Sequence, residues 1–382
     1  MEPFKNLLNP ALVQAAASHL RRHWCGFDAA AFTAQATSGL EALEMKARAM
    51  QICSALEATL PDDFDRAAGL LEAALAPMQN DEVAGPAVVK HSLETGLRGW
   101  ILWPVGEFIA RRGLAQPERA LAALHAITQR FTAEFAIRPL IVQHPTLCFT
   151  TLNRWTADPS AHVRRLVSEG SRPRLPWGVR LHGLVQDPSP TLPLLRALQD
   201  DTSEYVRRSV ANHLNDIAKD HPALVATWVK EHLAEAPAAR RALLRHASRT
   251  LVKQGHAATL QAWGLGAGFC GTAVLGVAPA RVAVGDKLQL TLTLVSTAKQ
   301  TQAQALVVDY AVHHVKADGS TSAKVFKGWS LSLPPGASIT LQKTHSMRPV
   351  TTRRYHAGRH GITVQVNGRQ VAAGHFTLLN GS

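Results

Sequence analysis

The feature that most constrains the fold is an internal repeat with a spacing of 43 residues. The segment Asp158–Glu169, DPSAHVRRLVSE, aligns with the segment Asp201–Asn212, DTSEYVRRSVAN. A helical period near 43 residues is typical of HEAT-like repeats, in which helix pairs stack and bury a continuous core. Such a stack presents a concave face that can hold an extended ligand, so the repeat predicts a helical-repeat architecture.

The periodicity of the sequence changes near residue 264. Before about residue 255 apolar residues recur at helical spacing, whereas the later part contains short runs that mostly alternate apolar and polar residues. Turn signals such as Asn367-Gly368 separate these runs, which cover residues 287–295, 305–312, 329–333 and 361–366. We therefore predict a mainly α protein, with a HEAT-like helical-repeat solenoid followed by a small all-β, immunoglobulin-like sandwich.

The same change suggests the domain boundaries. We expect a helical domain over residues 1–263, a glycine-rich linker over residues 264–272, and a sandwich over residues 273–382.

The charge of the chain favours a polyanionic partner. The formal net charge is +13, and +9 of it lies in residues 270–382, which contain six Lys, six Arg, three Asp and no Glu. A strongly basic balance of this kind indicates nucleic acid first, although a passive basic surface is the alternative.

Other classes of protein receive little support from the sequence. The cysteines stand far apart and form no pattern with zinc-ligand spacing, so we expect no metal, no cofactor and mostly buried free thiols. We find no apolar run of about 18 residues and no secretory signal at the N-terminus, so we expect no membrane association and a cytoplasmic location.

The repeat helices carry the first candidate site residues. Arg165 and Glu169 are four residues apart on one helix face, and the repeat offset maps them onto Arg208 and Asn212. Asp216 follows one helical turn after Asn212. We expect these side chains to line neighbouring repeats on one surface, while the other repeated pairs, Asp158 with Arg164 and Asp201 with Arg207, tie the repeats together.

A stiff connection follows the first repeat helix. Pro173 and Pro176 restrict the backbone there, so the segment can hold Arg172, Arg174 and Trp177 at fixed positions. Taken alone, Trp177 also fits an ordinary core aromatic.

These segments resemble a known family. The blocks Glu134–Pro139, Trp155–Trp177 and Ser203–Asp220 are similar to the AlkC-type DNA alkylation-repair glycosylases of bacteria. The resemblance covers essentially the whole chain, including the sandwich that some members carry.

The resemblance implies an activity and a set of site residues. Members excise N3-alkylated bases, such as 3-methyladenine and 3-methylcytosine, from DNA on a HEAT-like platform. Double-stranded alkylated DNA is therefore the expected partner, in the bacterial nucleoid, for a chain that we expect to be a monomer. The implied catalytic residues are Glu134, Glu169, Trp177 and Asp216, and the implied DNA-backbone contacts are Arg165 and Arg172.

The residues themselves agree with this chemistry. An N3-alkylated base is already cationic and leaves as a neutral molecule, so positive charge remains on the sugar. Carboxylates can stabilise that charge and orient water, although each one alone also fits a solvated helix-face residue.

The sandwich supplies further candidate DNA contacts. We expect it to clamp the duplex through basic residues in turn-rich segments, and these are Lys324, Lys327, Arg353, Arg354 and Arg359. Two other interpretations stay open, a non-catalytic HEAT-repeat scaffold for protein partners and a protein that binds damaged DNA without cutting it.

Overall fold

The structure is a computed structural model of the 382-residue chain, and it describes residues 3–78, 94–299, 301–350 and 353–379. Sixteen α-helices precede eight strands within these ranges. The helices are α1 (Pro10–His23), α2 (Ala29–Thr37), α3 (Met45–Thr59), α4 (Phe64–Ala73), α5 (Leu102–Arg112), α6 (Pro117–Thr128), α7 (Ile137–Gln143), α8 (Pro145–Trp155), α9 (Ala161–Gly170), α10 (His182–Gln186), α11 (Leu192–Leu198), α12 (Glu204–Ile217), α13 (Pro222–Leu233), α14 (Ala238–Ala247), α15 (Arg249–Lys253) and α16 (Ala257–Ala262).

The described residues form two compact units. The first contains α1–α12 and α14, and the second contains α13, α15, α16 and all the strands. The last helix ends at Ala262 and the first strand begins at Gly271, while the domain limits expected from the sequence remain a prediction.

The two repeat segments form α9 and α12, which pack against each other. Each helix is preceded by an aspartate that accepts a backbone hydrogen bond at 2.8 Å, Asp158 from Ser160 and Asp201 from Ser203. This arrangement satisfies a free N–H at each helix start. The shared sequence pattern therefore produces the same local structure twice.

A side-chain pair joins the two repeats. Arg164 donates to both carboxylate oxygens of Asp201, with N–O distances of 2.7 and 3.0 Å. The same guanidinium also donates to the backbone oxygens of Asp158 and Pro159. Because Arg164 contacts the residues that precede α9 and the aspartate that precedes α12, it fixes the starts of the two helices against each other.

The strands form two sheets. They are β1 (Gly271–Ala278), β2 (Arg281–Val282), β3 (Lys287–Ser296), β4 (Gln304–Val315), β5 (Thr321–Leu333), β6 (Ser338–Ser346), β7 (Gly358–Val366) and β8 (Arg369–Leu378). One sheet has the order β1-β3-β6 and the other β2-β8-β7-β4-β5, and all neighbours are antiparallel except β2 with β8. Alternate residues of β3, β4 and β7 are buried in a shared apolar core that includes Leu292, Val308 and Val364.

The predicted fold class, helical repeats followed by an immunoglobulin-like sandwich, is confirmed. The expectation that the basic residues of the sandwich lie in turns is wrong for three of them. Lys324 and Lys327 are exposed within β5, and Arg359 is exposed near the start of β7. Strand β5 is an edge strand, and exposed lysines there also discourage pairing with other chains.

No helix of the described part of the chain is both long enough and apolar enough to cross a membrane.

Candidate active site

Three carboxylates from separate elements converge in the first unit. Glu134 lies in the turn that precedes α7, Glu169 lies in the last turn of α9, and Asp216 lies near the end of α12. Their exposed fractions are 7%, 7% and 2%. Buried carboxylates need cationic or hydrogen-bonding partners, because an unpaired buried charge is strongly unfavourable.

Arg165 links the first two carboxylates. Its Nη1 donates to Glu134 Oε2 at 3.0 Å and to the hydroxyl of Thr132 at 2.7 Å, while Nη2 lies 3.5 Å from Glu169 Oε1. The guanidinium also lies over the ring of Tyr205, 5.2 Å from its centroid. This arginine is therefore held on three sides and is not a mobile surface cation.

Arg172 links the second and third carboxylates. Its Nη1 donates to Glu169 Oε1 at 2.6 Å, and its Nε donates to Asp216 Oδ2 at 2.7 Å. Two further donors complete the set, since Ser209 donates to Glu169 Oε2 at 2.6 Å and Lys219 donates to Asp216 Oδ1 at 2.8 Å. The five charged side chains Glu134, Arg165, Glu169, Arg172 and Asp216 form one connected network, named here the acid cluster.

The acid cluster has a negative formal balance, because three carboxylates face two guanidiniums. Lys219 compensates this charge from the rim, where 44% of its side chain is exposed. With Lys219 counted, three carboxylates face three cations, so the paired site is formally neutral.

The pKa values of the two glutamates move in opposite directions. Burial raises the pKa of the Glu134 carboxyl above 4.5, despite the nearby Arg165. Burial also acts to raise the pKa of Glu169, but Arg165 and Arg172 together outweigh it and hold that pKa below 4.5. Glu169 is therefore the more firmly ionised of the pair.

An aromatic cleft of about 240 Å³ opens beside the acid cluster. Glu134, Glu169 and Arg172 contribute polar groups to its lining, and the rings come from Trp100, Phe131, Phe135 and Trp177. Aromatic faces next to carboxylates suit a ligand that is both flat and cationic.

Trp177 is exposed at this cleft rather than buried in a core. Its side chain is 60% exposed and its backbone has φ of 65°, a left-handed conformation that is unfavourable for a bulky residue. The indole is parallel to Trp103 at a centroid distance of 6.3 Å and lies 6.0 Å from the ring of Phe4. A strained backbone and a supported, exposed ring are typical of a functional position.

The other predicted cations of the first unit lie outside the acid cluster. Arg174 forms a two-point ion pair with Asp220 at 2.6 and 2.7 Å. Arg208, the repeat equivalent of Arg165, pairs with Glu204 on the surface, where 67% of its side chain is exposed. The repeat equivalence therefore extends to the backbone of these helices but not to the environment of the two arginines.

In the second unit, Arg354 and Arg359 are exposed, whereas Arg353 is half-buried. Arg359 contacts the ring of His375 at 3.2 Å. Their expected contacts with DNA remain a prediction.

Several residues of this region were not identified from the sequence. Trp103 and Phe4 support Trp177, and the buried Arg138 contacts the connection that carries it. Arg180 and His182 are exposed beside Arg174 around an open groove of about 500 Å³. In this connection, the sequence pointed only to Arg172, Arg174 and Trp177. The contacts of Phe4, Trp103 and Arg138 could not be found because they join segments that are distant in sequence.

Within the described ranges, no group of three or more His, Cys, Asp or Glu side chains is arranged to hold a metal ion. All four cysteines are free thiols, but the expectation that most are buried is wrong, since Cys53 and Cys148 are buried while Cys25 and Cys270 are exposed.

Comparison with known proteins assigns both parts of the chain. Residues 130–251 match the family described as "DNA alkylation repair enzyme", and residues 272–380 match the C-terminal immunoglobulin-like domain of the uncharacterised protein YhaZ. The YhaZ protein of Bacillus subtilis (strain 168) is 32% identical over 372 residues, which are 96% of this chain and 97% of that protein.

A solved structure is similar over nearly the whole length. It is the alkylpurine DNA glycosylase AlkC of Pseudomonas fluorescens, bound to DNA that contains an abasic site analog. The identity is 35%, the match covers 99% of this chain and 100% of that chain, and the TM-score is 0.88.

The helical-repeat unit with its acid cluster, followed by an immunoglobulin-like sandwich, defines a DNA alkylation repair enzyme of the helical-repeat class. The chain belongs to the AlkC-type family of bacterial DNA alkylation-repair glycosylases, as the resemblance of its sequence indicated.

Proposed function

We propose that the chain hydrolyses the N-glycosidic bond of cationic N3-alkylated bases, 3-methyladenine and 3-methylcytosine, in double-stranded DNA. The activity and the DNA in the structure of the Pseudomonas fluorescens relative support the alkylpurine part of this proposal. We further take the chain to act as a monomer in the bacterial cytoplasm, at the nucleoid.

The observation that carries the proposal is the acid cluster, in which three buried carboxylates from separate elements converge beside an aromatic cleft. Departure of a cationic base leaves an oxocarbenium-like sugar, which carries positive charge in the transition state. Carboxylates that are already fixed by Arg165 and Arg172 stabilise that charge without having to reorganise. Neutral bases gain less from the same site because their departure needs a proton that the lesion does not need.

The contacts suggest different tasks for the carboxylates. Side-chain donors occupy both oxygens of Asp216, from Arg172 and Lys219, and both oxygens of Glu169, from Arg172 and Ser209. Glu134 accepts a side-chain hydrogen bond from Arg165 alone among the described contacts, and its pKa is raised. We assign the water-orienting role to Glu134 and charge stabilisation to the other two.

Trp177 completes the site. Its exposed indole can pack against the sugar or the cationic nucleotide, and such π–cation contacts contribute about 0.5–2 kcal/mol. Arg165 and Arg172 donate to carboxylates, so in this scheme their main role is to hold the acid cluster in place rather than to bind phosphate.

The cations outside the acid cluster supply most of the DNA affinity in this proposal. Arg174, Arg208 and the basic residues of the sandwich contact phosphates, and Arg180 joins them beside the Trp177 connection. Phosphate contacts of this kind position the protein and make binding depend on salt.

The test is incubation of the purified chain with duplex DNA that contains one 3-methyladenine or one 3-methylcytosine. Release of free base together with abasic sites supports the proposal. Binding of the duplex without release supports a protein that recognises damage without cutting it, and absence of both supports a scaffold for other proteins.

A further inference from the structure

A buried arginine lies directly behind the connection that carries Trp177. Arg138, in α7, has no exposed surface. Its guanidinium donates to three backbone carbonyls, those of Gly170 at 2.9 Å, Arg172 at 2.8 Å and Val179 at 2.5 Å. All three acceptors belong to residues 170–179, named here the tryptophan turn.

The tryptophan turn has little regular structure of its own. After α9 ends at Gly170, its backbone hydrogen bonds include one from Gly178 N to Leu175 O and one from Leu181 N to Pro173 O. Trp177 within it has a positive φ, a backbone conformation that is unfavourable for a bulky side chain. Contacts from elsewhere are therefore needed to hold this conformation.

The packing against Arg138 is close. A side chain at position 178 would place its Cβ 3.3 Å from Arg138 Nε, so a glycine there lets the backbone pass directly over the guanidinium. At position 170, a Cβ would lie 2.6 Å from Ile137, the neighbour of Arg138. Both ends of the tryptophan turn thus approach α7 at glycines.

Burying a guanidinium is energetically unfavourable, and the hydrogen bonds of Arg138 offset only part of that cost. Burial lowers the pKa of Arg138 to about 10, and its Nη2 has no hydrogen-bond partner among the described residues. An apolar side chain at this position would leave the three carbonyls without their donor, so these contacts hold residues 170–179 against α7 even though the charge is buried. The three carbonyl contacts therefore point to a task in placing the turn.

We propose that Arg138 is a positioning residue that holds the tryptophan turn in its strained conformation, so that Trp177 is placed correctly for base excision. The proposal rests on the glycosylase function for its kinetic test, but it also predicts a local change that needs no activity.

The experiment compares Arg138→Met and Arg138→Lys with the wild type and with Arg164→Lys as a control. Arg164 also donates to two backbone carbonyls, those of Asp158 and Pro159, but its guanidinium pairs with Asp201 and joins the two repeats. Single-turnover excision from DNA containing 3-methyladenine is measured with saturating enzyme, well below the unfolding temperature of each variant. A second measurement follows amide hydrogen exchange in residues 173–181 without DNA.

We expect Arg138→Met to lower the excision rate by about tenfold, within the loss expected from removing the indole itself, because small errors of placement have large kinetic effects. Affinity for a duplex with an abasic-site analogue should change by less than about threefold. Arg138→Lys keeps one cationic donor and should lie between Arg138→Met and the wild type. Arg164→Lys should lower the unfolding temperature while its excision rate stays within about twofold of the wild type.

A double-mutant cycle tests whether the Arg138 substitution slows excision through Trp177. In a Trp177→Ala background the loss caused by the Arg138 substitution should shrink to less than about threefold, because the group being positioned is absent. If Arg138→Met does not fold, Arg138→Lys carries the same cycle.

Unchanged excision in the Arg138 variants, or an equal loss with and without Trp177, overturns the positioning role. If the wild type itself releases no base, the proposed function fails, and hydrogen exchange then decides the positioning role. Faster exchange confined to residues 173–181 supports it, and unchanged exchange there refutes it.

Discussion

Arg172 and Asp216 meet through two nitrogens and one oxygen, since Nε and Nη2 of the guanidinium each lie 2.7 Å from Oδ2 of the carboxylate. The two residues are 44 positions apart and belong to successive helical repeats. The remaining contact of this guanidinium reaches Glu169. One side chain thus joins the carboxylates of two repeats into a single site.

Loss of Arg172 should lower the stability of the protein as well as its rate of base excision. Arg172→Met leaves Glu169 and Asp216 with fewer buried partners, and breaking a buried pair from one side costs about 3–5 kcal/mol in the free energy of unfolding. Urea denaturation measures this change. Arg208→Ala, which removes an exposed ion pair, is the control and should change the free energy of unfolding by less than about 0.5 kcal/mol. Similar costs for the two variants would contradict the buried network.

Substitution of Trp177 should separate activity from stability. Trp177→Ala removes a side chain that is largely exposed, so we expect the free energy of unfolding to change by less than about 1 kcal/mol. The loss of the π face should slow excision by roughly 2- to 30-fold, the equivalent of about 0.5–2 kcal/mol. Trp177→Phe should keep part of the rate, and thermal unfolding measured beside single-turnover excision tests both expectations. A large loss of stability with no loss of rate would show a core residue instead.

The acid limb of the pH profile should report Glu134. Its raised pKa means that, as the pH falls, Glu134 is protonated before Glu169, whose pKa is lowered. Loss of that negative charge slows excision, so the rate should fall as the pH drops through a pKa above 4.5. In Glu134→Gln the overall rate is lower, and the remaining acid limb should lie at lower pH. A limb in the same position in both proteins would exclude Glu134 as its source.

The basic residues of the sandwich should contribute to binding by neutralising phosphates. In the full chain, Arg354→Ala with Arg359→Ala should reduce the slope of log affinity against log salt by about 0.9 for each phosphate that is no longer neutralised. The measurement is a titration of fluorescent duplex DNA at several salt concentrations. Lys287→Ala with Lys299→Ala, at two exposed positions outside the sheet that contains Arg359, removes the same number of charges and is the control for a mere change in net charge. The same slope in the wild type and the double variant would mean that these arginines are not at the DNA.

The sequence predicted the helical-repeat unit because a repeat of 43 residues imposes equivalent helices, and α9 and α12 begin with the same aspartate contact. It also predicted the set of carboxylates that the structure brings together. The repeat offset of 43 residues and one further helical turn relate Glu169 to Asp216, whereas Glu134 was identified through the resemblance to the family.

The contacts that support the site could not be predicted in the same way. Arg138 lies 41 residues before its partner Val179, and no periodicity connects an arginine to a backbone carbonyl. Arg165 and Arg208 are equivalent in the repeat, yet one is buried between glutamates and the other is exposed, because burial depends on the neighbouring element. In the sandwich, Lys324 and Lys327 lie inside β5, where charged side chains are tolerated because an edge strand is open on one side.

The most direct test of the account is the rate of base excision after removal of one negative charge from the acid cluster. Glu169→Gln and Asp216→Asn keep the shape of each side chain, and single-turnover release of 3-methyladenine is compared with duplex binding in the same buffer. We predict a loss of about 100-fold or more in rate with binding retained. Equal excision rates for the wild type and both variants would contradict a catalytic role for these carboxylates.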